Sequence, residues 1–334
     1  MRRSILFLMP LLMLLVNSCR KESDIFDGPS LDDIYGDFSF IQPFIITNDE
    51  VDFGAGETTF FSAEFSKNVN WQIKITGLSS GAVKIISGTS NILDAENALW
   101  TGTTTTLPMF RAESCAVELT FLNETDTVLD TLEILSPKVN AGFLLSDFES
   151  GWNAGWGSFV QSGGNMSFTI SDDVTSAQGQ YYYDMGGEVN WDWLIGMVDI
   201  PASAYGTSTF PLSENPDNVY FNVLLNNPPG ITNSIVLFQF REDDNGDGMF
   251  SEGTEDMFSA EIKMTEAGWQ LISRNYAELP TLVNGVASDP LGNGIYEPHK
   301  LWQVSVLMLA NPTSGYSQAY MDYLIFTEGN ALQP

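Results

Sequence analysis

Residues 60 to 76 read Phe60-Phe61-Ser62-Ala63-Glu64-Phe65-Ser66-Lys67-Asn68-Val69-Asn70-Trp71-Gln72-Ile73-Lys74-Ile75-Thr76. Phe61, Ala63 and Phe65 alternate with Phe60, Ser62 and Glu64, and Trp71, Ile73 and Ile75 alternate with Gln72, Lys74 and Thr76. Such a period of two is what a strand with one dry face imposes, because successive side chains leave the pleat on opposite sides. Moving outward, the pattern continues at Val83 to Ile86, Val117 to Phe121 and Val128 to Ile134. Turn clusters such as Gly77-Leu78-Ser79-Ser80-Gly81 separate these runs. Seven or so short strands in about 100 residues predict an immunoglobulin-like sandwich over residues 38–137. Cys115 falls on the apolar side of its strand and reads as a buried structural thiol.

Ser136-Pro137-Lys138-Val139-Asn140-Ala141-Gly142 breaks the pattern and marks a boundary. Beyond it, strands are expected at Met166 to Ile170, Gln180 to Asp184, Leu194 to Ile200, Val219 to Leu225, Ile235 to Glu242, Met257 to Ile262, Trp269 to Arg274, Leu301 to Leu309 and Ala319 to Phe326. With almost no 3.6-residue period among them, they predict a larger sandwich of jelly-roll type over residues 143–330. The fold class is therefore all-β. Pro280 to Pro298, rich in Gly and Pro, reads as a long loop.

Composition narrows the function. The chain has 334 residues and a hydrophobic share of 43%, enough to bury a core in each of two domains. Lys and Arg number 13 against 43 Asp and Glu, a net charge of −30 that repels nucleic-acid phosphates, so no nucleic-acid partner is expected. One histidine, His299, and two cysteines supply neither a Cys/His zinc site nor a histidine relay.

Residues 242–254 contain Asp243-x-Asn245-x-Asp247-Gly248, a D-x-N-x-D-G string between two expected strands. Alternate oxygens on a curled loop converge on one cation, and the sixth-place glycine permits the sharp turn. The expected calcium ligands are Asp243, Asn245, Asp247, the Met249 carbonyl and Glu252; the twelfth place, a Glu in EF-hands, is Thr254 here. An Asx-rich turn without metal is the alternative. The one G-x-S-x-G string, Gly77-Leu78-Ser79-Ser80-Gly81, is a turn between two expected strands and not a strand-to-helix elbow, no E-x-D-x-x-E strand is present, and no enzymatic activity is expected.

Met1-Arg2-Arg3, the apolar run Ile5 to Val16 and Asn17-Ser18-Cys19 resemble the signal and cleavage box of bacterial lipoproteins. The resemblance implies a signal peptide over 1–18, lipid on Cys19 and membrane attachment through that lipid alone. Residues 19–37, with Gly28, Pro29 and Gly36, read as a flexible tether. Removing 1–18 takes away Arg2 and Arg3 and no acid, leaving the mature chain more acidic still.

Asp147-Phe148-Glu149, Gly268-Trp269-Gln270-Leu271-Ile272 and Tyr320-Met321-Asp322-Tyr323-Leu324-Ile325-Phe326 resemble the galactose-binding-like sandwich of many carbohydrate-binding modules. In that family an early Glu and a late Asp share a structural calcium, which carries over to Glu149 and Asp322. The layout of lipidated Cys, tether, immunoglobulin-like domain and terminal sandwich is similar to surface glycan-binding lipoproteins of Gram-negative polysaccharide-utilisation systems. What that implies is a calcium-stabilised, non-catalytic lipoprotein of the outer membrane, facing the cell exterior. Its ligand would be a polysaccharide or oligosaccharide, passed to an outer-membrane transporter complex.

Saccharide binding needs flat rings for C–H stacking and planar polar groups for hydroxyls. If Val236, Phe238 and Phe240 face a core, Gln239 and Arg241 face outward, where Gln303 can join them from another strand. The candidate ligand-binding residues are Tyr182, Trp191, Gln239, Arg241 and Gln303. The alternatives are a surface lipoprotein that docks a protein without sugar affinity, and a hydrolase with an unrecognised carboxylate pair.

Overall fold

The computed structural model describes residues 36–283, 285–310 and 315–334. The signal peptide, Cys19 and all but the end of the tether lie outside the described residues. Within them the chain is all-β, with short 3-10 turns as its only helical elements.

The first sandwich comprises β1 (Phe40–Ile46), β2 (Glu50–Asp52), β3 (Thr59–Gly77), β4 (Val83–Leu93), β5 (Leu99–Trp100), β6 (Glu113–Phe121) and β7 (Thr127–Ser136). The two alternating runs expected as separate strands fuse into β3, 19 residues long and buried at every second position. Its first half pairs with β1 and β5, and its second half with β6. A register shift between Glu64 and Val69, on the edge shared with β4, marks where one ladder gives way to the other. β2 runs parallel to β7, the remaining edge. Phe61, Phe65, Trp71, Ile73, Trp100 and Leu119 meet in the core.

The second sandwich comprises β8 (Phe143–Ser146), β9 (Gly157–Val160), β10 (Asn165–Met166), β11 (Thr169–Ser171), β12 (Tyr182–Glu188), β13 (Leu194–Pro201), β14 (Val219–Asn227), β15 (Ser234–Glu242), β16 (Met257–Lys263), β17 (Gly268–Asn275), β18 (Leu282–Val283), β19 (Val286–Ala287), β20 (Leu301–Ala310) and β21 (Tyr316–Glu328). A seven-stranded sheet runs β10-β12-β21-β14-β17, with β11 on β12 and β8 on β21; a five-stranded sheet runs β16-β15-β20-β13-β9. Phe221, Phe238, Phe240, Phe258 and Phe326 fill the space between them. The 280–298 segment is not wholly irregular, since β18 and β19 form a small hairpin within it.

β21 departs from simple alternation. Ala319 and Met321, and then Leu324 and Phe326, all face the same core, which an unbroken strand cannot arrange. The register against β14 slips between Ile325 and Asp322, and Tyr323 has φ 45°. This bulge spends one extra residue and turns Asp322 and Tyr323 away from the core together.

Cys115 lies in the first core with no exposed surface, and burial, with Glu113 and Glu133 adding to it, pushes its thiol up to about 12. In a soluble chain lacking residues 1–37, a disulfide reagent at pH 8 is expected to leave Cys115 unmodified until guanidinium unfolds the protein; fast reaction of the native chain would contradict its burial.

Candidate functional site

The five-stranded sheet presents a second face away from the core. Val236, Phe238 and Phe240 of β15 and Val304, Val306 and Met308 of β20 point inward. The pleat therefore sends Leu237, Gln239 and Arg241, and Gln303, Ser305 and Leu307, to the opposite side. Register places Arg241 across from Gln303, Gln239 across from Ser305 and Leu237 across from Leu307. On the other flank of β20, β13 sets Asp199 across from Ser305 and Met197 across from Leu307. Each strand thus contributes one polar and one apolar stretch, and the face divides into two strips.

The polar strip is cross-linked. Gln303 Nε2 donates to Asp199 Oδ1 at 2.8 Å and to Ser305 Oγ at 3.0 Å, and the Ser305 hydroxyl donates to the same Asp199 oxygen. Arg241 donates to Gln239 Oε1 at 3.3 Å, its other terminal nitrogen stands 3.7 Å from Asp199 Oδ1, and its guanidinium lies 5.5 Å from the Phe250 ring centre. Burial lowers the Arg241 pKa, against which Asp199 and Glu252 hold the charge in place.

The apolar strip is Ile235, Leu237, Leu307 and Leu309, with Trp193, Leu194, Met197 and Leu282 packed on it. A groove of about 270 Å³ follows this strip and reaches Gln239 and Asp192. Its walls include Trp193 on one side and, on the other, Leu282 and Gly285 of the β18–β19 hairpin.

Of the expected binding residues, Gln239, Arg241 and Gln303 come together on this face. Gln303 is only 5% exposed and its amide is engaged, so it braces the strip instead of offering a free hydrogen-bonding edge. Trp191 is 61% exposed, and its indole N–H donates to the Ser162 carbonyl at 2.9 Å. Its neighbour Trp193, not Trp191, lines the groove.

Tyr182 requires a correction. It lies on the seven-stranded sheet with no exposed surface, its ring against Tyr320 and Trp269 and its hydroxyl on Asp173, so it offers no face to a sugar. Trp152 and Trp156, in the stretch between β8 and β9, pack edge-to-face with each other at 5.2 Å against the core. Asp199 and Ser305 were not anticipated; the signal for Ser305 was its alternation with Val304 and Val306.

In the D-x-N-x-D-G loop, Asp243 accepts from the amides of Gly246, Asp247 and Gly248, Asn245 Oδ1 from the Asp247 amide, and Asp247 Oδ1 from the Met249 amide. Asp243 Oδ1 accepts two of these bonds, but Asp243 Oδ2, Asn245 Oδ1 and Asp247 Oδ1 each keep a lone pair, so the bonds orient the set without excluding a cation. Glu252 stays exposed near Arg241, and the buried acid that turns into the loop is Glu255, accepting from Asn245 and Ser251. The Met249 side chain is exposed.

Glu149 and Asp322 converge on one turn. Glu149 Oε1 accepts from the amides of Gln180 and Tyr181, both at 2.7 Å, and Asp322 Oδ2 accepts from the Gln178 amide at 2.8 Å. Asp322 is fully buried, and burial raises its pKa well above the carboxylate range, with Glu149 adding to the rise. Its Oδ1 and the Gln178 Oε1 are buried without partners. Two orphaned oxygens beside an exposed carboxylate fit a hard cation.

No family model and no curated protein matches the sequence. In structure the chain is similar to a family 11 carbohydrate-binding module from a cellulosomal cellulase of Clostridium thermocellum, at 14% identity and a TM-score of 0.40, covering 59% of this chain and 100% of that one. It is also similar to SGBP-B from a complex xyloglucan utilization locus in Bacteroides uniformis, at 13% identity and a TM-score of 0.38, covering 81% of this chain and 76% of that one. With TM-scores below 0.5, these likenesses fix neither topology nor ligand.

Asp199→Ala leaves the buried Gln303 amide and Ser305 hydroxyl without their shared acceptor. Urea denaturation is expected to show a loss of about 1–3 kcal/mol, and a loss within error of zero would mean that the polar strip is not held by Asp199.

Proposed function

We propose that this chain is a non-catalytic glycan-binding lipoprotein, anchored through Cys19 on the outer surface of a Gram-negative cell. It captures polysaccharide or oligosaccharide for a neighbouring outer-membrane transporter. The observation that carries the reading is the outer face of the five-stranded sheet, where an apolar strip bordered by an indole runs beside a strip of braced planar polar groups. A pyranose ring has the same two characters, a C–H face and a rim of hydroxyls. Leu237, Leu307 and Trp193 suit the first, and Gln239, Arg241 and Asp199 the second. These groups grip and orient a chain without breaking a glycosidic bond, which needs two carboxyls roughly 5 to 10 Å apart across it.

Affinity gel electrophoresis against a panel of plant and microbial polysaccharides tests the reading. Trp193→Ala and Arg241→Met are each expected to weaken retention about tenfold, or ~1.4 kcal/mol, with Tyr182→Phe leaving it unchanged. No retention by any polysaccharide, together with capture of a protein partner, would replace the reading with the docking alternative.

Calcium stabilisation is part of the proposal. At the Glu149–Asp322 turn the ion would join the two orphaned oxygens to the exposed carboxylate, holding the start of the second sandwich against its last strand. Asp322→Asn is expected to bind one calcium ion fewer than the parent and to melt at a lower temperature in calcium buffer; equal ion counts would remove this site.

A further inference from the structure

Three carboxylates outside the D-x-N-x-D-G set also converge. Glu242 ends β15, Asp244 follows two residues later and Asp256 directly precedes β16; one oxygen from each lies within 4.8 Å of the other two. The odd-numbered Asp243, Asn245 and Asp247 serve the amides of their own loop, whereas Glu242 and Asp256 are met by the amides of 292–297.

Glu242 has no exposed surface. Its Oε1 accepts from the Tyr276 hydroxyl at 2.8 Å and the Glu297 amide at 2.9 Å, and its Oε2 is buried with no partner. Asp244 repeats the pattern: Oδ2 accepts from the Asp256 amide at 3.0 Å, and Oδ1 is buried with no partner. The Asp256 oxygens accept from the amides of Gly292 and Gly294 at 2.8 and 2.7 Å. A Cβ at Gly292 would stand 2.2 Å from Asp244 Oδ2, so bare backbone is pressed onto the cluster there.

The nearby cation, Lys300, places its Nζ 2.9 Å from Glu297 Oε2 and 3.3 Å from the Asp244 carbonyl, bonding to none of the three carboxylates. Leaving two acidic oxygens buried and unpartnered costs more than a neutral group would, so a positive centre belongs between them.

We propose that Glu242, Asp244 and Asp256 hold a buried calcium ion, separate from the Glu149–Asp322 turn and from the odd-numbered oxygens of the loop. The donors are all hard oxygens, which excludes a soft-metal site. Oxygens held about 2.4 Å from one centre stand at most about 4.8 Å apart, so the cluster matches the width of a calcium shell, completed by carbonyls or water. The ion ties the end of β15, the start of β16 and the 292–297 loop at one point, directly after Arg241 on the chain.

Equilibrium dialysis of the full chain against calcium counts the ions bound. Glu242→Gln and Asp244→Asn are each expected to bind one ion fewer than the parent while keeping the ion that Asp322→Asn loses. Should Glu242→Gln fail to fold by circular dichroism, Asp244→Asn, at the partly exposed position, gives the same readout. A third measurement leaves all three carboxylates intact: terbium replacing calcium is expected to show tyrosine-sensitised emission, cut at least twofold by Tyr276→Phe. Unchanged ion counts in the folded carboxylate variants, or emission unaffected by Tyr276→Phe, would overturn the proposal and leave a proton shared between Glu242 and Asp244.

Discussion

Burying Phe238 and Phe240 between the two sheets leaves β15 no freedom over Gln239 and Arg241. The pleat has a period of two, so a strand that gives alternate phenylalanines to the core must give the intervening residues to the far side. The same constraint acts on β20, where Val304 and Val306 fix Gln303 and Ser305 outward, and on β13, where Val198 and Ile200 fix Asp199. Three strands locked by one core thus set their polar residues side by side, and hydrogen bonding between Gln303, Ser305 and Asp199 finishes the alignment. The polar strip beside the groove is therefore preorganised by the fold. A one-residue slip in any of these strands would exchange the polar strip for phenylalanine and valine.

The two sandwiches meet through a second, smaller set of apolar contacts. Met109 of the first packs with Ala177, Leu224, Tyr323, Ile325 and Leu332 of the second, and the Met109 amide donates to the Ala177 carbonyl at 2.7 Å. Arg111 donates to Ser176, one residue earlier. Ala177 adjoins the turn that Glu149 and Asp322 hold from below, and the bulge that aims Asp322 also places Tyr323 in the contact. The junction thus lies directly beside the turn on which the two carboxylates converge.

Alternation made the strands of both halves legible, along with the shared face of Gln239, Arg241 and Gln303 and the burial of Cys115, because each follows from sequence-local geometry. What stayed hidden depends on contacts distant in sequence. Tyr182 stands in a run of three tyrosines, and its neighbours do not reveal that Trp269 and Tyr320 close over it. Trp152 and Trp156 sit among glycines yet fold back against Phe148 and Tyr183. The fusion of two alternating runs into β3 turns on polar residues between them that read equally well as a turn. In the acidic loop, the motif singled out the odd-numbered residues, and only the 292–297 segment shows that Glu242 and Asp256 are buried.

A net charge of −30 bears on those buried carboxylates. Each acid taken out of water pays desolvation, and here it also sits in the field of a strongly negative molecule with few lysines or arginines to answer it. Asp199 obtains its answer from Arg241 and two neutral donors. Glu242 and Asp244 have amides, one hydroxyl and each other, Asp322 has an amide and the neighbouring Glu149, and each of the three keeps an oxygen without a partner. Amide dipoles orient a carboxylate but carry no net charge, so they cannot cancel the repulsion within such a cluster. A divalent ion carries the charge that amides lack, and the proposed calcium sites would answer the orphaned oxygens of a chain with few basic side chains.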